Sequence, residues 1–213
     1  MKALITSGGT AEEIDSVRSI TNHSTGRLGS IIADTFVKGG AQVTYVCAEN
    51  AALPAAEVNL VKIKTVQQLI AALEDLLETQ KFDCIIHAMA VSDFTMEAVL
   101  TEDLQPISES KISSKHEKIM LLLKRTPKVI EMFKGKGAKL VGFKLLSDVS
   151  ETELLRVASA LLERNACDYV LANDKRGIHG STHKALLLSA DGTVLRASTK
   201  QEIANLIYER VTR

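Results

Sequence analysis

Apolar and polar positions alternate between two patterns along this chain, and the two patterns predict strands and helices in turn. Short, almost continuous apolar runs are typical of strands that are buried on both faces, whereas apolar residues three or four apart form one face of a helix. The apolar runs predict strands over residues 3–6, 42–48, 58–63, 83–90, 118–124, 140–143 and 168–172. The dipeptide Asp191-Gly192 predicts a hairpin turn between two further apolar runs near the C-terminus.

Helices are predicted between these strands, where capping residues precede an apolar stripe. A stripe from Leu28 to Phe36 predicts a first helix from about residue 26 to the glycine pair Gly39-Gly40. Three further helices begin at pairs with capping-box spacing, namely Thr65 with Gln68, Ser150 with Glu153, and Thr199 with Glu202. Thr126 followed by Pro127 predicts an N-cap and the first residue of a short helix that ends near residue 134.

The order of these elements predicts an α/β fold with three layers. We expect a Rossmann-like, mostly parallel sheet with helices on both faces and a C-terminal antiparallel hairpin. Residues 1–213 are expected to form a single domain. The exception is the polar stretch 92–117, which is rich in Ser, Glu and Lys. Because compact domains seldom contain so long a loop without a function, we expect a flexible lid or an extension to a partner subunit.

Composition and charge exclude several classes of partner. The chain has 26 basic and 26 acidic residues, so nothing favours a general attraction to nucleic acid or to an anionic membrane. No apolar run approaches the roughly 20 residues of a membrane span. The three cysteines are odd in number and lack C-x-x-C spacing, which favours buried free thiols. With no leader-like segment before the first strand, we expect a cytoplasmic protein.

Candidate binding residues follow the predicted strands. In open parallel sheets, ligands bind at the carboxyl ends of the strands, where the amide groups of helix starts point outward. Glycines, polar residues, cations and one aromatic residue occur at these positions: Gly8, Gly9, Thr10, Arg18, Asn22, Ser24, Thr25, Gly26, Asp93, Phe143, Lys144, Asn173, Asp174 and, in the polar stretch, Lys111. Each one alone has an ordinary structural role as a turn, a cap or a solvated charge. Their joint placement predicts a site for an anion of nucleotide size.

The motifs at these positions resemble those of a known family. The strings ITSGGTAEEIDSVRSITNHSTGRLG, AMAVSDF, KISS, TPKVI, VGFK and LAND occur in the order found in phosphopantothenoylcysteine synthetases, also called phosphopantothenate–cysteine ligases. The resemblance extends from residue 5 to residue 174. It implies a homodimeric ligase of coenzyme A biosynthesis that joins 4'-phosphopantothenate to L-cysteine. In many bacteria a flavin-dependent decarboxylase is fused to this domain, and we expect this chain to be the stand-alone bacterial form.

The resemblance also implies the reaction and its co-substrate. The family uses a nucleoside triphosphate, typically CTP in bacteria, together with Mg²⁺. An acyl-cytidylate forms with release of pyrophosphate, and the amine of cysteine then displaces CMP.

Residue roles follow from the resemblance, position by position. Three catalytic roles are implied: Asn22 contacts the acyl-nucleotide intermediate, Arg18 reaches across the dimer interface, and Lys111 assists formation or turnover of the intermediate. Asp93 is expected to hold the ribose hydroxyls. Nucleotide- or substrate-binding roles are implied for Gly8, Gly9, Thr10, Ser24, Thr25, Gly26, Met89, Ala90, Asp93, Thr126, Pro127, Lys128, Val129, Phe143 and Lys144. No metal ligands are predicted.

Departures from the family pattern leave the choice between CTP and ATP open. Ser113 and Ser114 stand where many members have further lysines, and Leu161 and Asn165 replace lysines of the fused bacterial members. Two alternative functions are a nicotinamide-dependent short-chain-type reductase and a non-catalytic nucleotide-binding regulator. The reductase requires a third spaced glycine and a Tyr-x-x-x-Lys pair, both of which are absent. Lys111, Arg18 and Asn22 together argue against the regulator.

Overall fold

The computed structural model describes residues 1–213, and it contains strands, four α-helices and two short 3-10 helices. The strands are β1 (Lys2–Ser7), β2 (Ala11–Glu13), β3 (Ser19–Thr21), β4 (Gln42–Ala48), β5 (Asn59–Ile63), β6 (Cys84–His87), β7 (Phe94–Thr101), β8 (Ile119–Arg125), β9 (Lys139–Leu146), β10 (Tyr169–Asp174), β11 (Ile178–His179), β12 (Thr182–Ser189) and β13 (Val194–Thr199). The α-helices are α1 (Arg27–Lys38), α2 (Val66–Thr79), α3 (Glu151–Asn165) and α4 (Lys200–Thr212), and the 3-10 helices are Val129–Phe133 and Lys175–Gly177.

The main sheet has six parallel strands in the order β5-β4-β1-β6-β9-β10. Strand β12 runs antiparallel beside β10 and also pairs with β11 and β13, so the C-terminal hairpin extends this edge. From β1 the chain proceeds outward to β4 and β5 and then returns to β6 on the other side of β1. This reversal between β1 and β6 is where doubly wound sheets bind their ligands. The predicted fold class is confirmed.

Helices cover both faces of the sheet and form two apolar cores. On one face, Ile32 and Phe36 of α1 are fully buried with Ile203 of α4. On the other face, Leu69 of α2 is fully buried and packs in one cluster with Leu154 of α3. Every parallel strand except the edge strand β5 supplies side chains to both cores, which explains why these strands are apolar at successive positions. The three-layer prediction is therefore confirmed.

The predicted N-caps are present at the starts of α2, α3 and α4, although the side chains of Gln68, Glu153 and Glu202 do not complete the capping boxes. The hydroxyl oxygens of Thr65, Ser150 and Thr199 each accept a hydrogen bond from the backbone three residues later, at 3.2, 3.2 and 3.1 Å. Helix α1 begins differently, because its N-cap is Gly26 with a left-handed φ of 71°, and the hydroxyl oxygen of Thr25 accepts a long hydrogen bond from the amide of Arg27 at 3.4 Å. None of the four α-helices has both the length and the apolar character needed to cross a membrane.

The polar stretch 92–117 differs from the expected loop. Residues Phe94–Thr101 form strand β7, which pairs antiparallel with β8 in a two-stranded ribbon separate from the main sheet. Only Val99 in β7 is buried, so the strand lacks the apolar pattern that would have predicted it. The expectation of a continuous loop is wrong for these eight residues. Strand β8 exists as predicted but belongs to the ribbon.

The short helix expected after Thr126-Pro127 also begins elsewhere. One 3-10 helix spans Val129–Phe133, with Lys128 in an extended conformation before it. Thr126 is not its N-cap, because the Thr126 hydroxyl donates instead to the carbonyl oxygen of Ser92 at 2.5 Å. This hydrogen bond ties the end of the ribbon to the segment that follows β6.

Candidate active site

The segments that follow β1 and β6 are hydrogen-bonded to each other beyond the ends of the strands. The amide of Ala90 donates to the carbonyl oxygen of Gly8 at 2.8 Å, and the amide of Thr10 donates to the carbonyl oxygen of Ala90 at 3.2 Å. The amide of Ser92 donates to the hydroxyl oxygen of Thr10 at 2.9 Å. The first motif and the AMAVSDF motif therefore form one unit at the point where the sheet reverses its direction.

Thr10 does not face a ligand in this arrangement. Its side chain is fully buried, and its hydroxyl oxygen is used by Ser92. The sequence suggested that Thr10 belongs to a phosphate-facing turn, and the structure gives it a scaffold role instead. Gly8 is likewise enclosed, since a Cβ atom at this position would lie 2.7 Å from the Cβ of Ala51.

Asn22 lies over this unit, at the end of the short β2–β3 hairpin. Its side-chain amide nitrogen Nδ2 donates to the carbonyl oxygen of Val91 at 3.3 Å, and the residue is exposed. A Cβ atom on Gly9 would lie 2.7 Å from the carbonyl oxygen of Asn22, so only glycine permits this close approach. The hairpin itself was not predicted, because strands of three residues are too short to show a periodic pattern.

A cleft of about 540 Å³ opens beside Asn22 at the carboxyl ends of β1, β4 and β5. Its lining includes four residues that the sequence predicted as binding residues, namely Gly9, Asn22, Ser24 and Thr25. It also includes two charged residues that the sequence reasoning missed, Glu49 and Lys64. Both directly follow a strand of the main sheet, so the strand-end rule could have found them.

Lys64 forms an ion pair with Glu13 at the edge of this cleft. The hydrogen bond to Glu13 raises the pKa of Lys64, so the side chain remains an ammonium group at neutral pH. Glu12, which precedes Glu13 in the sequence, is only 4% exposed and has a structural function. The Glu12 carboxylate accepts hydrogen bonds from the amide of Val66 at 2.9 Å and from the hydroxyl of Thr95 at 2.5 Å. It thereby joins the β2–β3 hairpin to α2 and to the ribbon.

Asp93, just before β7, and Thr126 and Lys128, just after β8, form a second group at the end of the ribbon. Lys128 Nζ lies 2.5 Å from Asp93 Oδ1, and both side chains are exposed. The amide of Thr126 donates to the carbonyl oxygen of Asp93 at 3.0 Å. In the predicted binding segment 126–129, Pro127 is exposed, whereas the side chain of Val129 lies in the core. The side chain of Met89 lies in the same core. Any contact of Met89 or Val129 with a ligand therefore involves their backbone.

Phe143 and Lys144 lie near the end of β9, the strand next to β6. Because Ile86 pairs with Val141, Phe143 is level with the segment that follows β6. Its ring is partly buried and packs against the core under α1 and α4. Neither Phe143 nor Asp93 lines the 540 Å³ cleft that contains Asn22. The three residues occur at the ends of neighbouring strands but do not share that cavity.

Arg18 and the segment that contains Lys111 form a third group. Arg18 Nη2 donates to the carbonyl oxygen of Ile112 at 2.9 Å within the same chain, and 44% of the Arg18 side chain remains exposed. Lys111 is exposed and forms none of the side-chain hydrogen bonds or ion pairs of the structure. The first motif thus meets the KISS motif as well as the AMAVSDF motif.

His87 and the three cysteines are buried. His87 at the end of β6 is hydrogen-bonded through Nδ1 to Thr6 Oγ1 at 2.7 Å, and burial lowers the pKa of His87 to about 4. The three cysteines are buried and free, as predicted. No three His, Cys, Asp or Glu side chains are grouped closely enough to hold a metal ion by themselves.

A second cavity of about 420 Å³ lies beside β10 and β12. Its two arginines are already paired with carboxylates, since Arg196 contacts Glu151 at 2.6 Å and Arg176 contacts Asp174 at 3.3 Å. It contains none of the predicted catalytic residues.

Known proteins are similar to this chain in sequence and in fold. The family described as the DNA/pantothenate metabolism flavoprotein C-terminal domain matches residues 1–213. The coenzyme A biosynthesis bifunctional protein CoaBC of Thermococcus kodakarensis is 32% identical over 213 residues, which are 99% of this chain and 50% of that protein. The chain thus spans about half the length of the curated relatives it matches.

Two solved structures agree with this match. The DNA/pantothenate metabolism flavoprotein of Streptococcus pneumoniae is 38% identical with a TM-score of 0.89, over 100% of this chain and 98% of that one. The C-terminal domain of a CoaBC protein is 26% identical with a TM-score of 0.76, over 99% and 93% of the two chains. The resemblance found in the motifs is confirmed, and the chain belongs to the family of the DNA/pantothenate metabolism flavoprotein C-terminal domain, the phosphopantothenoylcysteine synthetase domain of CoaBC proteins.

Proposed function

We propose that this chain is a phosphopantothenate–cysteine ligase that activates its substrate with CTP. The observation that carries the proposal is the junction of Gly8–Thr10 with Ala90–Ser92, with Asn22 above it. This junction lies at the reversal point of a doubly wound sheet, beside a cleft lined by a glycine, hydroxyl groups and an ammonium group. Such a surface suits a phosphorylated ligand, because backbone amides and small polar side chains can approach the phosphates closely.

The chemistry proceeds in two displacements. An oxygen of the 4'-phosphopantothenate carboxylate attacks the α-phosphorus of CTP, the bond to the bridging oxygen breaks, and pyrophosphate leaves. The amine of L-cysteine then attacks the acyl carbon of the acyl-cytidylate, CMP leaves, and the nitrogen loses a proton. The first step brings two anions together, so positive charge at the site must offset their repulsion.

The described residues can fill the roles that this chemistry needs. Asn22 offers an amide donor to the acyl-nucleotide, and Asp93 offers a carboxylate to the ribose hydroxyls. Phe143 and the segment from Thr126 to Val129 lie at strand ends where a nucleotide base could bind. Arg18, Lys64 and Lys111 are the cations available to the phosphates and to the developing charge.

Mg²⁺ accompanies the nucleotide in this proposal. Magnesium usually keeps several waters and binds through one or two carboxylates together with substrate phosphates. Glu49 is the carboxylate in the cleft lining, and the absence of a preformed cluster fits a metal that enters with the triphosphate. When bound, the ion supplies positive charge that polarises the phosphate oxygens.

We further propose that the chain acts as a homodimer through its ribbon. Four successive residues of β8, from Met120 to Leu123, are 38–46% exposed, and Phe94 of β7 is 47% exposed. Isolated two-stranded ribbons are only marginally stable in water, so this apolar surface is best explained by a second copy that covers it. A dimer would also allow the exposed part of Arg18 to reach the neighbouring site.

Pyrophosphate release tests the proposed function. The purified chain should release pyrophosphate from CTP only when 4'-phosphopantothenate is present, and the Asn22→Ala variant should not. A reductase would instead change the absorbance of NADPH. A regulator that only binds nucleotide would do neither, and either result contradicts the proposal.

A further inference from the structure

The turn of residues 15–18 holds the segment that contains Lys111 on both sides of that lysine. Before it, the amide of Ser16 donates to the carbonyl oxygen of Ser110 at 2.9 Å. After it, the amide of Ile112 donates to Asp15 Oδ2 at 3.1 Å, and the carbonyl oxygen of Ile112 accepts from Arg18 Nη2 at 2.9 Å. Both backbone groups of Ile112 are therefore bound by side chains almost one hundred residues away in sequence.

Asp15 is the centre of this arrangement, which we call the bracket and define as Asp15, Arg18 and the backbone of Ile112. The Asp15 side chain has no exposed surface, and Arg18 Nε lies 3.5 Å from its Oδ2. Its other oxygen, Oδ1, accepts hydrogen bonds from the amides of Val17 and Arg18, both at 2.9 Å. One carboxylate thus shapes the turn with Oδ1 and holds the distant segment with Oδ2.

The side chain of Ile112 anchors the same segment. It is 3% exposed, although its neighbours on both sides are polar residues of the stretch 92–117. Lys111 lies between two fixed points and yet has an exposed side chain without a partner. The backbone around Lys111 is therefore held in place, while its ammonium group remains available to a ligand.

We propose that Asp15 is a positioning residue for Lys111, and that the bracket presents Arg18 and Lys111 as one unit. The inference rests on the proposed function for the role of Lys111 in ligation. Its structural content, that Asp15 fixes the backbone around Lys111, can be measured without any ligation assay. A cation held at one place beforehand stabilises developing charge without reorganisation during the reaction.

The isosteric substitution Asp15→Asn separates the two uses of the carboxylate. The Asn oxygen can still accept from the amides of Val17 and Arg18, so the turn is kept. The Asn amino group replaces Oδ2 and cannot accept from the amide of Ile112. We expect hydrogen exchange of the Ile112 amide to accelerate about tenfold or more, with the melting temperature lowered by only a few degrees.

Asp191→Asn is a matched control. Asp191 is also a turn carboxylate that binds backbone amides, and its Oδ1 accepts from the amide of Thr193 at 2.8 Å in the hairpin far from Lys111. Exchange at Ile112 should be the same in this variant as in the unaltered chain. If the Ile112 amide stays equally protected in Asp15→Asn, the bracket does not hold the segment, and the inference is wrong.

Activity provides a second readout that a purely structural role would not produce. Asp15→Asn should lower kcat for ligation at least about tenfold, but it should cost little further activity in a chain that already carries Lys111→Ala. Independent losses that multiply in the double variant contradict the positioning role. Absence of ligation in the unaltered chain would overturn the proposed function instead, and the exchange result would still decide the structural inference.

Discussion

Lys128 Nζ lies 2.5 Å from Asp93 Oδ1, so the carboxylate proposed to hold the ribose is already paired with a cation. Both side chains are more than 60% exposed, at 61% and 65%, and exposed pairs of this kind contribute little to stability. This ion pair affects nucleotide binding, because the ribose hydroxyl groups must either share Asp93 with the Lys128 ammonium group or displace that group.

Asp93→Asn should therefore raise the KM for CTP about tenfold or more while the melting temperature stays within about 2 °C of the unaltered chain. The amide keeps the shape of the side chain but loses the charge that strengthens hydrogen bonds to hydroxyl groups. Lys128→Gln leaves the carboxylate in place and should change KM much less. A KM that is unaffected by Asp93→Asn contradicts the assignment of this residue to the ribose.

Asn22→Ala and Lys111→Ala should each lower kcat for ligation about a hundredfold or more without unfolding the protein. Both residues are exposed, and Asn22 forms a single long side-chain hydrogen bond while Lys111 forms none. Surface substitutions of this kind usually change the free energy of unfolding by less than about 0.5 kcal/mol. Thermal unfolding and ligation rates check the two expectations separately.

Two controls match these variants in residue type and exposure. Asn205→Ala removes an exposed asparagine from α4, and Lys115→Ala removes a lysine from the same segment as Lys111. Both should retain ligation. Equal losses in Lys115→Ala would show that the effect is not specific to Lys111, and full activity in Asn22→Ala or Lys111→Ala would refute the role assigned to that residue.

Mixed dimers test how the sites are shared. If Arg18 acts in the neighbouring site, mixing Arg18→Ala with Asn22→Ala chains restores one intact site in each heterodimer, or about a quarter of full activity after random pairing. The bracket adds a second expectation. Because one chain presents Arg18 and Lys111 together, mixing Arg18→Ala with Lys111→Ala should restore nothing.

Each of the two mixtures also has an outcome that contradicts the account. Rescue in the second mixture means that Arg18 and Lys111 of one chain serve different sites, which contradicts their presentation as a unit. Absence of rescue in the first mixture, with heterodimers shown to form, contradicts the shared site.

Stability should fall on mild acidification because two histidines are buried in their neutral form. Burial lowers the pKa of His87 to about 4, and burial together with Lys200 lowers the pKa of His183 to about 4. The ordinary pKa is about 6.5, so the unfolded chain binds more protons between these values. The contribution is fully present above pH 6.5 and is lost as the pH falls toward 4, by up to about 1.4 kcal/mol per pH unit for each histidine.

Urea unfolding between pH 7.5 and pH 5 measures this slope. Replacing His183 by Asn should remove part of it, whereas replacing the exposed His23 should leave it unchanged. Carboxylates with a lowered pKa, such as Asp174 at about 2 through backbone hydrogen bonds, cost stability only below their ordinary pKa of about 4, which lies below this window. A stability that is constant from pH 7.5 to pH 5 contradicts the buried neutral state of both histidines.

The parallel sheet and three helix starts could be predicted because their signals are local. Doubly buried strands such as β4 and β6 show continuous apolar runs, and the caps at Thr65 and Ser150 lie within four residues of what they bind. Strand β7 could not be predicted in this way, because it is paired in an exposed ribbon and has almost no buried face.

The candidate site was predictable in its parts but not in its assembly. The glycines and Asn22 follow from the strand-end rule, whereas the burial of Thr10 depends on a hydrogen bond to Ser92, 82 residues away. The bracket could not be predicted for a similar reason. Asp15 and Arg18 bind backbone groups of Ile112, and a residue type does not indicate which distant side chains bind its backbone.

One measurement tests the central claim most directly: incubation of the purified chain with 4'-phosphopantothenate, L-cysteine, Mg²⁺ and either CTP or ATP at equal concentration. We expect 4'-phosphopantothenoylcysteine together with equimolar CMP and pyrophosphate, and less AMP when ATP replaces CTP. Failure to form the ligated product with either nucleotide, in a chain that is folded and dimeric, would contradict the account.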